Sequence, residues 1–338
     1  MKKTLHIILL SICFFFSIVQ LSAQQLPMLS EYTYNGFQLN PAMMGWEGIT
    51  SLSLGYRHQW TGMPNAPRTA NLAFRHFDED NNMGYGGYFV HDKTGPTAFT
   101  GVTLNYAYHI PFKSEKNGEW KRNRISIGLS LSALSYRLKG ADLRYQDLDD
   151  PLIVSNNESQ FMPDAGAGIY YYNDLYFVGF SVPQMISMKV KFNDDLALST
   201  IRRIAHFYVN GGAKFKIQNL YTKKSEHKHY IQPTFWIKYA PVSPLNINVN
   251  MHYLYDDLLS AGIGFSSDGT FIADFSIYFL KNYRLGYAFS SAVNKLSPQL
   301  GTNHEIMFAY IFQSSGKGWF VPKVEGFKKT KVNKEVMN

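Results

Sequence analysis

About fourteen times along the chain, a run of roughly ten residues alternates apolar with small or polar side chains, and each run closes on turn residues. Successive side chains of a strand point to opposite faces, so each run presents one apolar face and one polar face. Ile247, Val249, Met251 and Tyr253 alternate with Asn246, Asn248, Asn250 and His252. A single such strand suits a soluble sandwich as well as a barrel in lipid, and the choice rests on the number of repeats and on the N-terminus.

The N-terminus carries Lys2 and Lys3, an apolar run from about Leu5 to Leu21, and then Ser22 and Ala23 before Gln24 and Gln25. That layout reads as a secretory signal peptide over 1–23, with a retained anchor helix as the alternative. The single cysteine, Cys13, lies inside this segment, so the mature chain has no thiol for a disulfide or a metal. No later stretch is long and apolar enough to be a spanning helix. Aromatic residues make up 16% of the chain, which suits the two interfacial girdles of an outer-membrane barrel. Without Lys2 and Lys3, 31 basic residues stand against 25 acidic ones, a modest excess that does not point to nucleic acid.

The expected fold is all-β: a transmembrane outer-membrane β-barrel of about 14 antiparallel strands over residues 51–312. Strands are predicted at 51–60, 69–77, 84–91, 97–110, 124–137, 162–172, 175–182, 206–218, 230–240, 245–254, 258–266, 270–280, 283–291 and 304–312. Short turns at Asn173-Asp174, Tyr255-Asp256-Asp257, Ser267-Asp268-Gly269 and Lys281-Asn282 favour antiparallel hairpins. With a periplasmic N-terminus the long gaps 138–161, 183–205 and 292–303 fall outside, whereas 111–123 and 219–229 fall inside. Two segments lack the period of two. Residues 24–50, with Tyr32, Phe37, Trp46 and several methionines, form a periplasmic lead-in that either plugs the lumen or packs on its rim. Residues 313–338 form a basic periplasmic tail, either solvated or used for docking.

Organised chemistry is missing from the sequence. It contains no Gly-x-Ser-x-Gly elbow, no His-Glu-x-x-His and no phosphate-binding Gly-x-x-x-x-Gly-Lys. Gly262 and Gly264 alternate with Ile263 and Phe265 in a strand, where small residues relieve crowding or bend the sheet. Asp78, Asp80, Asn82 and Gly84 approach a calcium loop, but the glycine comes one residue late and the closing glutamate is absent. Lys214, Lys216, Lys238 and Arg284 share the lumenal parity and either pair with acids such as Asp274 or tune passage of an anion. No catalytic residue, cofactor-binding residue or metal ligand is expected.

The run Tyr56-Arg57-His58-Gln59-Trp60 follows Asn35-Gly36 and Asn40-Pro41-Ala42, and precedes Gly62 and Ala66-Pro67-Arg68-Thr69. Further on come Asp92-Lys93-Thr94-Gly95, Tyr106-Ala107-Tyr108-His109, Gly179-Phe180-Ser181-Val182-Pro183 and His304-Glu305-Ile306. In this order the chain resembles the PorP/SprF membrane proteins of the type IX secretion system of Bacteroidota over about 24–312. The resemblance implies a non-enzymatic outer-membrane component that works with periplasmic ring lipoproteins and with cargo, typically adhesins bearing a C-terminal sorting domain. A general porin or hydrophobic-solute transporter is the alternative, and an outer-membrane hydrolase a third. The chain departs from the family pattern at Thr61, after Trp60, and at Ser290, after Phe289. By parity Tyr56 and Trp60 face lipid, while Arg57 and Gln59 face inward, either as solvated lumen groups or holding the 24–50 segment.

Overall fold

The computed structural model describes residues 35–116, 119–140, 157–186, 189–191, 200–202, 204–217, 229–241, 243–256, 258–280, 282–293 and 297–314. The predicted signal segment, residues 24–34, most of the two long outer loops and the tail beyond Ser314 lie outside these.

The first seven strands are β1 (Ile49–His58), β2 (Arg68–Asp78), β3 (Met83–Thr94), β4 (Thr97–Lys116), β5 (Glu119–Lys139), β6 (Asn157–Tyr172) and β7 (Tyr176–Gln184). A separate two-stranded ribbon of β8 (Lys189–Lys191) and β9 (Thr200–Arg202) follows, then β10 (His206–Ala213) and β11 (Phe215–Ile217). The remainder are β12 (His229–Ala240), β13 (Ser243–Tyr255), β14 (Leu259–Ser266), β15 (Thr270–Phe279), β16 (Tyr283–Ala292) and β17 (Thr302–Ser314).

Each barrel strand pairs antiparallel with its neighbours, β17 returns to β1, and β10 joins β7 to β12. β11 continues β10 past a break at Lys214 and pairs with the same strand, β12, so the closed barrel has 14 staves. Closure leaves no free sheet edge, which is what lets backbone amides sit in hydrocarbon.

Side-chain parity follows the predicted alternation. On β4, Val102, Leu104, Tyr106, Tyr108 and Ile110 face outward, with Leu104 64% exposed, while Thr103, Asn105, Ala107 and His109 are buried. On β13, Ile247, Val249, Met251 and Tyr253 face outward and Asn248, Asn250 and His252 point into the lumen. A protein with its aliphatic side chains outside and its amides inside is built for an apolar solvent. No described helix is long and apolar enough to cross a membrane.

Two strand predictions need correction. Residues 111–116 and 119–123, predicted to lie in a loop, are strand, because the β4–β5 ladder runs on from Ile110↔Ile125 to Lys116↔Glu119. Beyond the bilayer a hairpin needs no apolar face, so the loss of alternation there ends the membrane band and not the strand. The strand predicted to begin at 162 starts at Asn157 for the same reason.

Candidate functional site in the barrel lumen

Residues 35–48 lie inside the barrel, against inward-facing side chains of the wall. Two short 3-10 turns, Gly36–Gln38 and Pro41–Met43, compact the segment, and all of it is buried except Gln38 and Gly48, which are half-buried. The second turn has a cap suited to its start: the Asn40 side chain accepts from Ala42 N–H at 3.0 Å and Pro41 occupies the first turn position. Residues 35–48 therefore lie against lumen-facing side chains of the wall, and residues 24–34 of the same predicted segment lie outside the described residues.

Backbone carbonyls of the plug are met by side chains of the wall. Asn105 Nδ2 donates to Phe37 O at 3.0 Å, and Ser181 Oγ donates to Leu39 O at 2.8 Å. His109 Nε2 lies 2.8 Å from Met44 O, and its Nδ1 lies 2.8 Å from the Tyr172 hydroxyl. A carbonyl only accepts, so Nε2 carries the hydrogen and Nδ1 of the neutral ring accepts from Tyr172. Asn40 Nδ2 reaches Ile169 O at 3.4 Å, and Asn35 Nδ2 reaches Met307 Sδ at 3.4 Å. The first three contacts meet plug carbonyls, at Phe37, Leu39 and Met44, that lie outside the sheet.

The apolar part of the plug is a continuous core. Phe37, Leu39, Ala42, Met43, Met44 and Trp46 pack with Tyr170, Tyr172, Phe177, Tyr208, Trp236 and Met307 from the wall. The Trp46 ring lies 5.5 Å from Tyr170, 6.1 Å from Tyr172 and 5.6 Å from Phe177, centroid to centroid. Such contacts suit edge-on aromatic packing. Below the plug backbone the wall carries glycines. A Cβ on Gly128 would collide with the backbone of Pro41 and Ala42, and one on Gly84 with Met44 and Gly45. Gly45 itself has φ +83, so both sides of that contact require glycine.

Charge is placed at two levels. Near the end where β1 begins, Glu47 of the plug forms a buried ion pair with Arg75, whose Nε also donates to Ser51 Oγ at 2.9 Å. Toward the other end Arg57 lies across the ladder from Glu305, with Asp92 as a second acid facing it. Asp92 accepts from Thr69 Oγ1 at 2.6 Å and from Thr94 Oγ1 at 3.1 Å. Arg57 thus faces inward as expected, but the plug's ion pair is made by Arg75. Farther round the wall His252 lies 3.1 Å from Asp274, and Arg284 donates to Ser276 Oγ at 3.1 Å.

The other candidate residues divide by location. Asn35, Asn40 and Pro41 belong to the plug. Tyr56, Trp60 and His304 lie on the exterior, where His304 Nδ1 lies 2.7 Å from the Tyr287 hydroxyl. Gln59 N–H donates to Pro67 O at 3.0 Å and closes the β1–β2 loop. Trp60 N–H donates to Asn303 Oδ1 at 2.8 Å, and Gly62 N–H to Leu300 O at 3.1 Å. A Cβ on Gly62 would come within 2.9 Å of Gln299 O, so this loop is zipped to the segment before β17 through glycine. Gly95, at φ +54, makes the tight β3–β4 turn and donates to Asn65 O at 3.1 Å. Pro183 is buried beside Gly166. The motif residues are therefore a plug, a rim and a girdle, not one pocket. Sequence reasoning missed Arg75, Asn105, His109, Ser181 and the glycine bed as plug contacts. Their signal was lumenal parity, beside inward glycines on the strands β3, β5 and β6.

Among the described residues no group of three or more His, Cys, Asp or Glu could hold a metal ion.

Several solved barrels are similar to this chain. The Ralstonia pickettii toluene transporter TbuX matches at 12% identity and TM-score 0.47, covering 82% of this chain and 93% of that one. The KdgM porin in complex with disordered oligogalacturonate matches at 12% identity and TM-score 0.36, covering 77% and 98%. The Acinetobacter baumannii outer membrane protein Omp33 matches at 10% identity and TM-score 0.39, covering 79% and 100%. No curated protein matches. Residues 21–310 match the family described as type IX secretion system membrane protein PorP/SprF, and the chain belongs to that family.

Proposed function

We propose that this protein serves type IX secretion as a plugged outer-membrane anchor. It supports export or surface attachment of cargo, such as adhesins bearing a C-terminal sorting domain. The outer loops meet the cargo, and the periplasmic turns and basic tail meet the ring lipoproteins. On this reading residues 1–23 are removed as a signal peptide, and the chain is not an enzyme and uses no cofactor.

The observation that carries the reading is residues 35–48 packed inside the barrel, bonded to three strands, β4, β6 and β7, through Asn105, His109, Ile169 and Ser181. A diffusion channel needs a clear path, whereas an anchor for other components needs a rigid wall and accessible ends.

The test is affinity purification of the full chain from its native membrane after mild solubilisation. Ring lipoproteins and sorting-domain cargo are the expected co-eluting proteins, and recovery of neither defeats the proposal. In the same preparation, steady conductance or solute uptake by the reconstituted unmodified barrel would favour a porin or a hydrophobic-solute transporter.

A further inference from the structure

We propose that the lipid-facing surface at the outer rim binds a phosphorylated glycolipid headgroup of the outer leaflet, through Arg68, Lys93 and Arg137. The ladder sets these cations side by side. Arg68 is directly opposite Lys93, Lys93 is opposite Ala98, and Ala98 is opposite Arg137. All three are exposed and share the outward parity of Leu72, Phe89 and Leu131 on their own strands. With strands about 4.8 Å apart, the row spans roughly 14 Å. Ala98 leaves a notch between the two arms of the row, and Ser159 lies opposite Arg137 at its far end.

Two like charges directly opposite on one face destabilise a sheet. Among the described residues no ion pair involves Arg68, Lys93 or Arg137. The nearest acid in sequence, Asp92, points inward and is bonded by Thr69 and Thr94. An anion from outside the chain resolves the repulsion, and the arginine forks match a phosphate.

The surface beneath identifies the occupant. Two rows closer to the membrane centre, Leu72, Phe89 and Val102 lie opposite one another in the same ladder, and all are exposed. The ligand must therefore present an anion beyond the apolar band and hydrocarbon within it, as a phosphorylated lipid does and an acidic peptide does not. The inference rests on the reading that this rim faces the cell exterior.

The test titrates lipid A against the full mature protein in detergent and counts bound lipid by native mass spectrometry. The R68A/K93A/R137A variant should bind lipid A about two orders of magnitude more weakly. The charge-conserving R68K/K93R variant should bind like the unmodified protein and shows that the surface still folds. Equal binding by the triple variant overturns the proposal. Inorganic phosphate that displaces lipid A at equal concentration also overturns it, because the site would then read the anion alone. A Met63→Cys probe on the exposed β1–β2 loop, labelled on intact cells, tests orientation separately. Failure to label removes the outward placement of the rim, whereas labelling with unchanged lipid binding removes only this site.

Discussion

Glu47, the last charged residue before β1, and Arg75 on β2 form an ion pair buried on both sides inside the barrel. Removing one partner of such a pair costs about 3–5 kcal/mol, because the other charge is left desolvated and alone. Arg75→Ala should therefore release the plug while the wall persists. Limited proteolysis should then cut within 35–48 in the folded barrel. Replacing both partners, Arg75→Met with Glu47→Leu, should restore most of the protection, and an uncut Arg75→Ala protein would show that the pair does not hold the plug.

The glycine bed gives a steric test. Gly128→Val places side-chain atoms where the backbone of Pro41 and Ala42 lies, and Gly84→Val does the same under Met44. Backbone cannot move aside as a flexible side chain can, so each variant should expel the plug. Planar-bilayer recording should show new steady conductance from both. Silence in both variants, with the barrel folded by its heat-modifiable mobility on gels, would contradict the packing described.

Trp46 is the largest apolar side chain of the plug and touches Tyr170, Tyr172 and Phe177. Trp46→Ala should cost about 3–5 kcal/mol of local stability. Hydrogen exchange of the amides at 39–46 should accelerate while that of the β13–β16 amides stays unchanged. A uniform acceleration across the barrel would mean that plug and wall unfold as one unit.

The exterior has its own prediction. Leu104 and Leu131, 64% and 68% exposed, lie directly opposite each other on the outer face of β4 and β5. Leu104→Arg should lower barrel stability in vesicles by about 2–4 kcal/mol. Ser135→Arg, nearer the rim on the same face, should cost only about 0–1 kcal/mol. Urea unfolding in vesicles compares the two, and equal effects would mean that the apolar band is misplaced.

The alternation made the strands legible because a period of two is a local property. Val102 to Ile110 against Thr103 to His109 can be sorted without knowing any partner. The reach of β4 and β5 was not legible, since polar residues from Lys113 to Arg122 break the pattern while the backbone ladder continues. The plug's location was equally hidden. Arg57 is close to the segment in sequence and invited a pairing, yet the β1–β2 register brings Arg75 alongside Ser51, next to Glu47, and leaves Arg57 opposite Thr69. Such contacts exist only once the sheet has closed. Inward glycines carried an ambiguous signal, because strand bending and close approach of another backbone both require them, and only the position of residues 41–45 separates Gly128 and Gly84 from glycines that serve the wall alone.

The plug is joined to the wall by one residue, Gly48 at φ +68, which leads directly into Ile49 of β1. A segment on so short a tether experiences its own binding site at an effective concentration on the order of millimolar or higher. Transient release is therefore followed by recapture, and a soluble competitor for the lumen works against that local excess. Opening of the unmodified lumen by a soluble competitor therefore calls for a concentration above that local excess.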